Sequence, residues 1–243
     1  MNKEIQRLAV IPARGGSKRI PRKNIKPFLG LPALGSTIEC VLRSCLFSEI
    51  IVTTDDPQIA QVAIEYGATY VIMRPDYLAS DQAITVPTVA HALDAWAKET
   101  GYTISHEDVA CCIYPVNPFL SIQDLRAGFT ILQENTEISY VNPVCTYAYP
   151  IERALTLDDS FKMKMINPDK LEVRSQDTTE TFHDAGQWYL SKAHTWIKGK
   201  ALLHNSIGVV IPRWCVQDID TEEDWVRAEL LKLVIIQQGE NYQ

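Results

Sequence analysis

The stretch LAVIPARGGSK, residues 8–18, decides the fold, because a short apolar run leads directly into a glycine-containing loop. Residues 8–11 predict a buried strand that ends at Pro12. Gly15 and Gly16 allow the backbone to turn tightly and to approach a ligand closely. Their amides can then point at phosphate oxygens, while Arg14 and Lys18 add positive charge. The spacing fits neither GxxxxGK[ST] nor GxGxxG, so we predict a phosphate-binding loop of another type.

The positive charge of the chain is concentrated around this loop. Residues 8–38 contain no acidic residue and include Arg19, Arg22, Lys23 and Lys26, whereas the whole chain of 243 residues has a net charge of −7. A basic segment in an acidic protein indicates a site for a small polyanion, since the remaining surface would repel a long nucleic acid or an anionic membrane. The alternative interpretation is a solvated basic loop, and for Arg22 we favour a solvent-exposed charge.

Strand and helix patterns alternate along the chain. Strands are predicted over residues 8–11, 49–54, 69–73, 109–114 and 138–144, and helices over residues 37–47, 57–66, 86–100, 122–134 and from residue 222 onward. Asp56, Ser121 and Thr221 are the predicted N-caps, the last two within capping boxes. This alternation predicts an α/β fold with a mainly parallel sheet flanked by helices, in one domain over residues 1–243. Ligands bind such sheets at the carboxyl ends of the strands.

Residues 145–192 interrupt the alternation. They are polar, lack helical periodicity and include Tyr147, Tyr149 and Phe161. We predict a small β-rich excursion, whose aromatic side chains either contribute to a dimer contact or pack within the same chain.

Two acidic residues near the C-terminal end form a second candidate site. If residues 217–221 are extended, Asp218 and Asp220 point to the same side. Paired carboxylates are suitable ligands for Mg²⁺, which also binds substrate phosphates. Alternatively, the two carboxylates only precede a helix whose positive N-terminus favours anions.

Composition also bears on location. No apolar run approaches the roughly 18 residues of a membrane span, and residues 8–11 are too few for a secretory signal. None of the six cysteines forms a CxxC motif, and Cys111 and Cys112 lie in an apolar run. We therefore expect free thiols and a cytoplasmic protein.

The longer run IPARGGSKRIPRKN, residues 11–24, resembles the signature of the acylneuraminate cytidylyltransferases, which make CMP-sugars from nonulosonic acids. TTDD at residues 53–56, RPDYLASD at 74–81 and QDIDT at 217–221 are similar in the same order. YPVNPF at 114–119 and FHDAGQWY at 182–189 most resemble the pseudaminic acid branch of that family. The resemblance implies a Rossmann-like nucleotidyltransferase, and a homodimer in which residues 145–192 reach towards the neighbour's sugar site.

The resemblance further implies a reaction in which CTP and a nonulosonic acid give a CMP-sugar and pyrophosphate. Arg14, Lys23 and Asp218 would be the catalytic residues, and Asp218 and Asp220 would hold Mg²⁺. The implied CTP site comprises Arg14, Gly15, Gly16, Ser17, Lys18, Lys23, Arg74, Ala83 and Thr85. The implied sugar site comprises Tyr114, Asn117, His183, Asp184 and Gln187. Asp218, a hydroxide on the metal ion and His183 remain alternatives for the group that takes the proton.

Other functions stay open at this point. The sugar could be legionaminic, sialic or keto-deoxyoctonic acid instead of pseudaminic acid. A glycosyltransferase on a similar sheet would keep the acidic metal pair without needing the basic loop. A CTP-binding module without chemistry would bind the nucleotide but release no pyrophosphate.

Overall fold

The computed structural model describes residues 4–80 and 83–238. The strands in chain order are β1 (Arg7–Pro12), β2 (Pro27–Phe28), β3 (Leu31–Pro32), β4 (Glu49–Thr54), β5 (Tyr70–Met73), β6 (Val109–Ile113), β7 (Tyr140–Thr146), β8 (Leu155–Leu157), β9 (Met163–Met165), β10 (Phe182–Asp184), β11 (Trp188–Lys192) and β12 (Ser206–Val210). The α-helices are α1 (Ala33–Ser44), α2 (Pro57–Glu65), α3 (Thr85–Thr100), α4 (Ile122–Glu134), α5 (Ala193–Ile197) and α6 (Glu222–Gln237).

An eight-stranded sheet organises the molecule. Its order is β5-β4-β1-β6-β11-β7, and β10 and β12 both pair with β7. The pairs that join β5, β4, β1 and β6 are parallel, as is the pair of β7 with β12. In contrast, β11 runs antiparallel to both β6 and β7, and β10 is antiparallel to β7. The predicted α/β fold with a mainly parallel sheet is therefore confirmed.

Helices cover both faces of this sheet, because alternate residues of each strand point to opposite sides. Ala9 and Ile11 of β1 belong to a core cluster that includes buried residues of α1, α2 and α4. Leu8 and Val10 belong to a second cluster, with buried residues of α3 and α5. Across the part of the chain described, no helix combines the length and the apolar character needed to cross a membrane.

The capping residues in the sequence predicted the starts of most helices correctly. The Asp56 side chain accepts hydrogen bonds from the amides of Gln58 and Ile59 at the start of α2. Thr221 and Asp224 form a reciprocal capping box on α6, whereas Ser121 only accepts from the amide of Asp124. Helix α1 begins at Ala33, earlier than the predicted residue 37, because Ala33 and Leu34 add buried side chains to its inner face.

The excursion is narrower than the predicted residues 145–192. Strands β10 and β11 pair within the main sheet, and residues 188–191 of β11 are fully buried between neighbouring strands. Only the intervening segment leaves the sheet, and it contains the antiparallel hairpin of β8 and β9. Every residue of this hairpin is exposed except the half-buried Met165.

Candidate active site

A basic cleft of about 510 Å³ lies at the carboxyl ends of the parallel strands. Most of the residues predicted to bind CTP line it: Arg14, Ser17, Lys18, Lys23, Arg74, Ala83 and Thr85. Arg19, Asn24, Tyr114, Pro115 and Asp220 line it too. We refer to it as the nucleotide cleft. The motif at residues 74–81 contributes Arg74, but its last residue, Asp81, lies outside the described residues.

The two glycines of the loop have different roles. The amide of Gly15 donates a hydrogen bond of 2.9 Å to Oδ1 of Asp55. A Cβ at Gly15 would lie 2.8 Å from Oδ2 of Asp56, whereas a Cβ at Gly16 would have no neighbour within 4 Å. The Gly15 amide is thus engaged with Asp55, and its contact with phosphate stays a prediction. Gly15 is needed because Asp56 packs directly against its Cα.

Side chains hold the rest of the basic loop in place. Buried Asn24 donates from Nδ2 to the carbonyl oxygen of Arg14 at 2.7 Å. The Nζ of Lys23 donates to the carbonyl oxygen of Ile219 at 2.6 Å and lies 3.6 Å from Oδ1 of Asp220. Arg19 pairs with the same carboxylate at 2.8 Å. These contacts join the basic loop that follows β1 directly to residues 217–221, which precede α6.

Arg22 points elsewhere. Its Nη2 lies 3.1 Å from Oδ1 of Asp56, the capping residue of α2, and its side chain is 45% exposed. Arg22 is absent from the lining of the nucleotide cleft. This position agrees with the prediction of a surface charge.

Arg74 is fixed at the floor of the nucleotide cleft. It is buried, with Nη1 donating to the carbonyl oxygen of Leu78 at 3.2 Å and Nη2 to that of Thr53. Its buried Nε has no hydrogen-bond partner among the described residues. Backbone carbonyl groups thus hold a guanidinium group within reach of a nucleotide.

A second cleft of about 620 Å³ adjoins the first and shares Lys23, Asn24, Tyr114 and Pro115 with it. We call it the sugar cleft. His183 and Asp184, both predicted sugar-site residues, line it together with Tyr189 and Asp218. Apolar surface comes from Val116, Ala185, Val216 and Ile219.

The acidic pair lies where the two clefts meet. Asp220 lines the nucleotide cleft and Asp218 the adjoining sugar cleft. Burial first and the charge of Asp220 next raise the pKa of Asp218. The described residues contain no cluster of three or more potential metal ligands of the His, Cys, Asp and Glu types. Two hard oxygen donors beside a basic cleft fit Mg²⁺, which keeps waters and substrate oxygens in its coordination shell.

Asn117 and Gln187, predicted to contact sugar, line neither cleft. Asn117 donates from Nδ2 to the carbonyl oxygen of Gln187 at 3.0 Å, and Gln187 donates from Nε2 to that of Cys215 at 2.6 Å. Both are buried, and these bonds connect separate segments of the chain. Tyr189, the last residue of the motif at residues 182–189, does line the sugar cleft. The alternation of β11 explains its position, since Trp188 packs towards Gly128 of α4 and its neighbour faces the other side.

His183 lies at the outer part of the sugar cleft. Its Nδ1 is 2.9 Å from the carbonyl oxygen of Asp184, and its ring centroid is 5.0 Å from that of Tyr147. One ring nitrogen is thus engaged with the backbone. This geometry indicates a side chain held in a fixed orientation.

A basic loop, an anchored arginine and a carboxylate pair at one edge of an α/β sheet are suited to a substrate that carries phosphate groups. Residues 8–192 match the family model described as cytidylyltransferase. This chain belongs to the cytidylyltransferase family.

Curated relatives cover nearly the whole chain. It is 35% identical over 229 residues to the pseudaminic acid cytidylyltransferase of Campylobacter jejuni subsp. jejuni serotype O:23/36 (strain 81-176), covering 93% of this chain and 96% of the relative. It is 30% identical over 236 residues to the CMP-N,N'-diacetyllegionaminic acid synthase of Legionella pneumophila subsp. pneumophila (strain Philadelphia 1), covering 92% and 95%.

A solved structure shares the fold. CMP:2-keto-3-deoxy-manno-octonic acid synthetase complexed with CTP superposes with a TM-score of 0.66 at 15% identity, covering 96% of this chain and 99% of that one. At this identity the likeness concerns the fold alone.

Proposed function

We propose that this enzyme transfers CMP from CTP to pseudaminic acid and releases pyrophosphate. The observation that carries the proposal is that the basic nucleotide cleft and the sugar cleft share one wall, formed by Lys23, Asn24, Tyr114 and Pro115. Two substrates in adjoining clefts can bring a hydroxyl group and a phosphate together, which removes much of the entropic barrier to their reaction. Two relatives are named pseudaminic acid cytidylyltransferase and CMP-N,N'-diacetyllegionaminic acid synthase, and these names support the same chemistry.

In this reaction, the anomeric hydroxyl oxygen of the sugar forms a bond with the α-phosphorus of CTP. The bond from that phosphorus to the β-phosphate oxygen breaks, and pyrophosphate leaves with the bond's electron pair. Arg14, Lys18 and Lys23 line the nucleotide cleft and would balance the negative charge on the phosphates. Lys23 lies in the shared wall, where the transferred phosphate would pass.

The hydroxyl proton needs an acceptor on the sugar side. Asp218 lines the sugar cleft, and burial followed by the charge of Asp220 raises its pKa. A raised pKa makes a carboxylate a better proton acceptor. We therefore assign the proton to Asp218. His183 is the alternative, since its Nδ1 donates to the carbonyl oxygen of Asp184 and leaves Nε2 as an acceptor.

Mg²⁺ would be held by Asp218 and Asp220, and it would supply positive charge to the phosphates when bound. Before it binds, Arg19 and Lys23 pair with Asp220. These cationic residues would exchange one partner for another, from the carboxylate to the phosphates of CTP.

Pseudaminic acid differs from sialic acid in a methyl group at the end of its tail and in a second acylamino group. The sugar cleft offers apolar surface from Val116, Val216 and Ile219 for the methyl group. Asp184 and Gln217 offer hydrogen-bonding groups for the amides. A hydroxyl group buried here without a partner would cost about 1–3 kcal/mol.

We further propose a homodimer that forms through the hairpin of β8 and β9. Leu157, Phe161 and Met163 are 59%, 81% and 72% exposed, and the two short strands have no core of their own. An isolated two-stranded hairpin is marginally stable in water, so a second copy is the partner that would cover it. The enzyme would act in the cytoplasm, where its nucleotide substrate is found.

The test is pyrophosphate release with CTP, Mg²⁺ and pseudaminic, legionaminic, sialic or keto-deoxyoctonic acid in separate reactions. Competition between pseudaminic and sialic acid in one reaction then gives the ratio of the two CMP-sugars. We expect at least about tenfold preference for pseudaminic acid, as for one buried hydroxyl without a partner. A ratio near one, or a preference for sialic acid, contradicts the assignment of the sugar and leaves cytidylyl transfer intact. CTP binding without pyrophosphate release from any acid contradicts the transfer itself.

A further inference from the structure

Two cations of the basic loop hold the carboxylate of Asp220. Nη2 of Arg19 lies 2.8 Å from its Oδ2, and Nζ of Lys23 lies 3.6 Å from its Oδ1. All three side chains line the nucleotide cleft. Each oxygen of this candidate metal ligand therefore already faces a positive charge of the chain itself, and a metal ion that binds alone has to compete with these charges.

Buried neighbours keep Arg19 and Asp220 close together. Ile20, which follows Arg19, is fully buried, and Ile219, which precedes Asp220, is 3% exposed. Both isoleucines belong to one apolar cluster that includes Trp225 of α6. Because this cluster holds the two backbone segments side by side, the ion pair depends on core packing as well as on the two charged side chains.

The two cations differ in how firmly they are held. Nζ of Lys23 also donates to the carbonyl oxygen of Ile219 at 2.6 Å, and its side chain is 25% exposed. The side chain of Arg19, in contrast, is 67% exposed. So exposed an ion pair contributes little stability, and a guanidinium group binds phosphate with the same planar fork that it offers to a carboxylate. Arg19 is therefore the cation that exchanges Asp220 for a phosphate at the lower cost.

We propose that Arg19 couples nucleotide binding to metal binding: in the free enzyme it occupies Oδ2 of Asp220, and when CTP enters the cleft it turns to a phosphate and frees that oxygen for the metal ion. The proposal rests on the proposed function for the identity of the nucleotide and the metal. CTP and the metal ion then bind more tightly together than apart. By linkage, each raises the affinity for the other by the same factor.

The experiment has two binding measurements on the full chain, both without sugar. Calorimetry gives the Kd of CTP in EDTA and in saturating Mg²⁺, and we call the first value divided by the second the magnesium ratio. Electron paramagnetic resonance gives the affinity of the protein for Mn²⁺ in the absence of CTP, since Mn²⁺ also binds oxygen ligands. For the wild-type protein we expect a magnesium ratio of about five or more.

Arg19→Ala removes the cation that occupies Oδ2 of Asp220. We expect its affinity for Mn²⁺ without CTP to rise about two- to fivefold, the effect of one exposed ion pair. The magnesium ratio should fall by a similar factor. Complexation of Mg²⁺ by free CTP is the same for every variant, so it cancels when the ratios are compared. Arg19→Gln is the second variant, in case Arg19→Ala disturbs the loop, and it should change both readouts in the same directions.

Arg22→Ala is the matched control, because it removes the same charge from the same loop. Arg22 pairs with Asp56 at 3.1 Å, and its side chain is 45% exposed. This variant should keep the wild-type affinity for Mn²⁺ and the wild-type magnesium ratio. Arg19→Lys keeps the charge and loses the fork, so its magnesium ratio should lie between those of the wild-type protein and Arg19→Ala.

The proposal is overturned if Arg19→Ala and Arg19→Gln bind Mn²⁺ and CTP as the wild-type protein does, since Arg19 would then be only a solvent-exposed charge. It is also overturned if CTP binding weakens equally in EDTA and in Mg²⁺, because Arg19 would contact phosphate without any link to the metal. Equal changes in Arg22→Ala would attribute the effect to net charge. Pyrophosphate release tests the proposed function separately, so the failure of one proposal is distinguishable from the failure of the other.

Discussion

Lys23 Nζ lies 3.6 Å from Oδ1 of Asp220, which joins the loop after the first strand to the segment before the last helix. The contact is held by a second bond, from the same Nζ to the carbonyl oxygen of Ile219. Lys23, which lines both clefts, thus contacts Asp220, a candidate metal ligand. Charge at this point is the property that the first two predictions test.

Asp218→Asn and Asp220→Asn should each lower turnover by about 10² or more, because the charge on the phosphates would be poorly compensated. Initial rates of pyrophosphate release at saturating CTP and Mg²⁺ measure the effect. Asp94→Asn, in an exposed pair with Lys98 on α3, is the control and should retain full activity. Full activity of the wild-type enzyme in EDTA would remove the metal from the proposal.

Lys23→Ala should cost about 2–4 kcal/mol in transition-state stabilisation if Lys23 contacts phosphate. Arg22→Ala should cost under about 0.5 kcal/mol, because its pair with Asp56 is exposed to solvent. The comparison of kcat/KM for the two neighbouring variants is the measurement. Equal losses would mean that the phosphate loop is assigned incorrectly.

Gly15→Ala should weaken CTP binding much more than Gly16→Ala does. A methyl group at residue 15 would press on Asp56 at 2.8 Å and displace the loop, while one at residue 16 has open space. Overpacking of this kind costs about 1–3 kcal/mol, so we expect at least about fivefold weaker CTP binding for Gly15→Ala. Gly16→Ala should bind CTP nearly as tightly as the wild-type protein, and similar losses in both variants would argue against this packing role.

Leu157→Glu and Met163→Glu should weaken the proposed dimer, since the two residues pair across the β8 and β9 hairpin and are exposed in the single chain. Placing one charge in an apolar contact removes about 1.5–3 kcal/mol of burial, which raises the dimer dissociation constant about tenfold or more. Light scattering across a concentration series is the measurement. Ile64→Glu, at an exposed position of α2, is the control and should leave the oligomeric state unchanged. A wild-type protein that is monomeric at every concentration would contradict the proposal.

The fold was predictable where the signals are local. The strand over residues 49–54 and the caps at Asp56 and Thr221 are encoded by a few adjacent residues, and the structure confirms them. The convergence of loops on one edge followed from the rule for parallel sheets, and Arg14, Arg74 and Thr85 do line one cleft.

Contacts between residues that lie far apart in the sequence could not be predicted. The partner of the Gly15 amide, Asp55, lies in another loop, and the partners that bury Asn117 and Gln187 come together only in the folded chain. Polar residues in a recognised motif look alike whether they face a ligand or a backbone carbonyl group. The choice of sugar, the metal ion and the dimer stay predictions.

The position of β11 has a consequence for the order of folding. This strand lies between β6 and β7, although it follows both in the chain, so these two strands cannot gain their final neighbours until residues 188–192 insert. Strands that are far apart in the sequence pair slowly, because the entropic cost of closing the long loop comes before the strand contacts can stabilise the pair. Pulsed hydrogen exchange during refolding should therefore protect β1 and β4 before β7, and simultaneous protection would exclude this order. The sugar cleft would therefore close only when the strand that carries Tyr189 arrives.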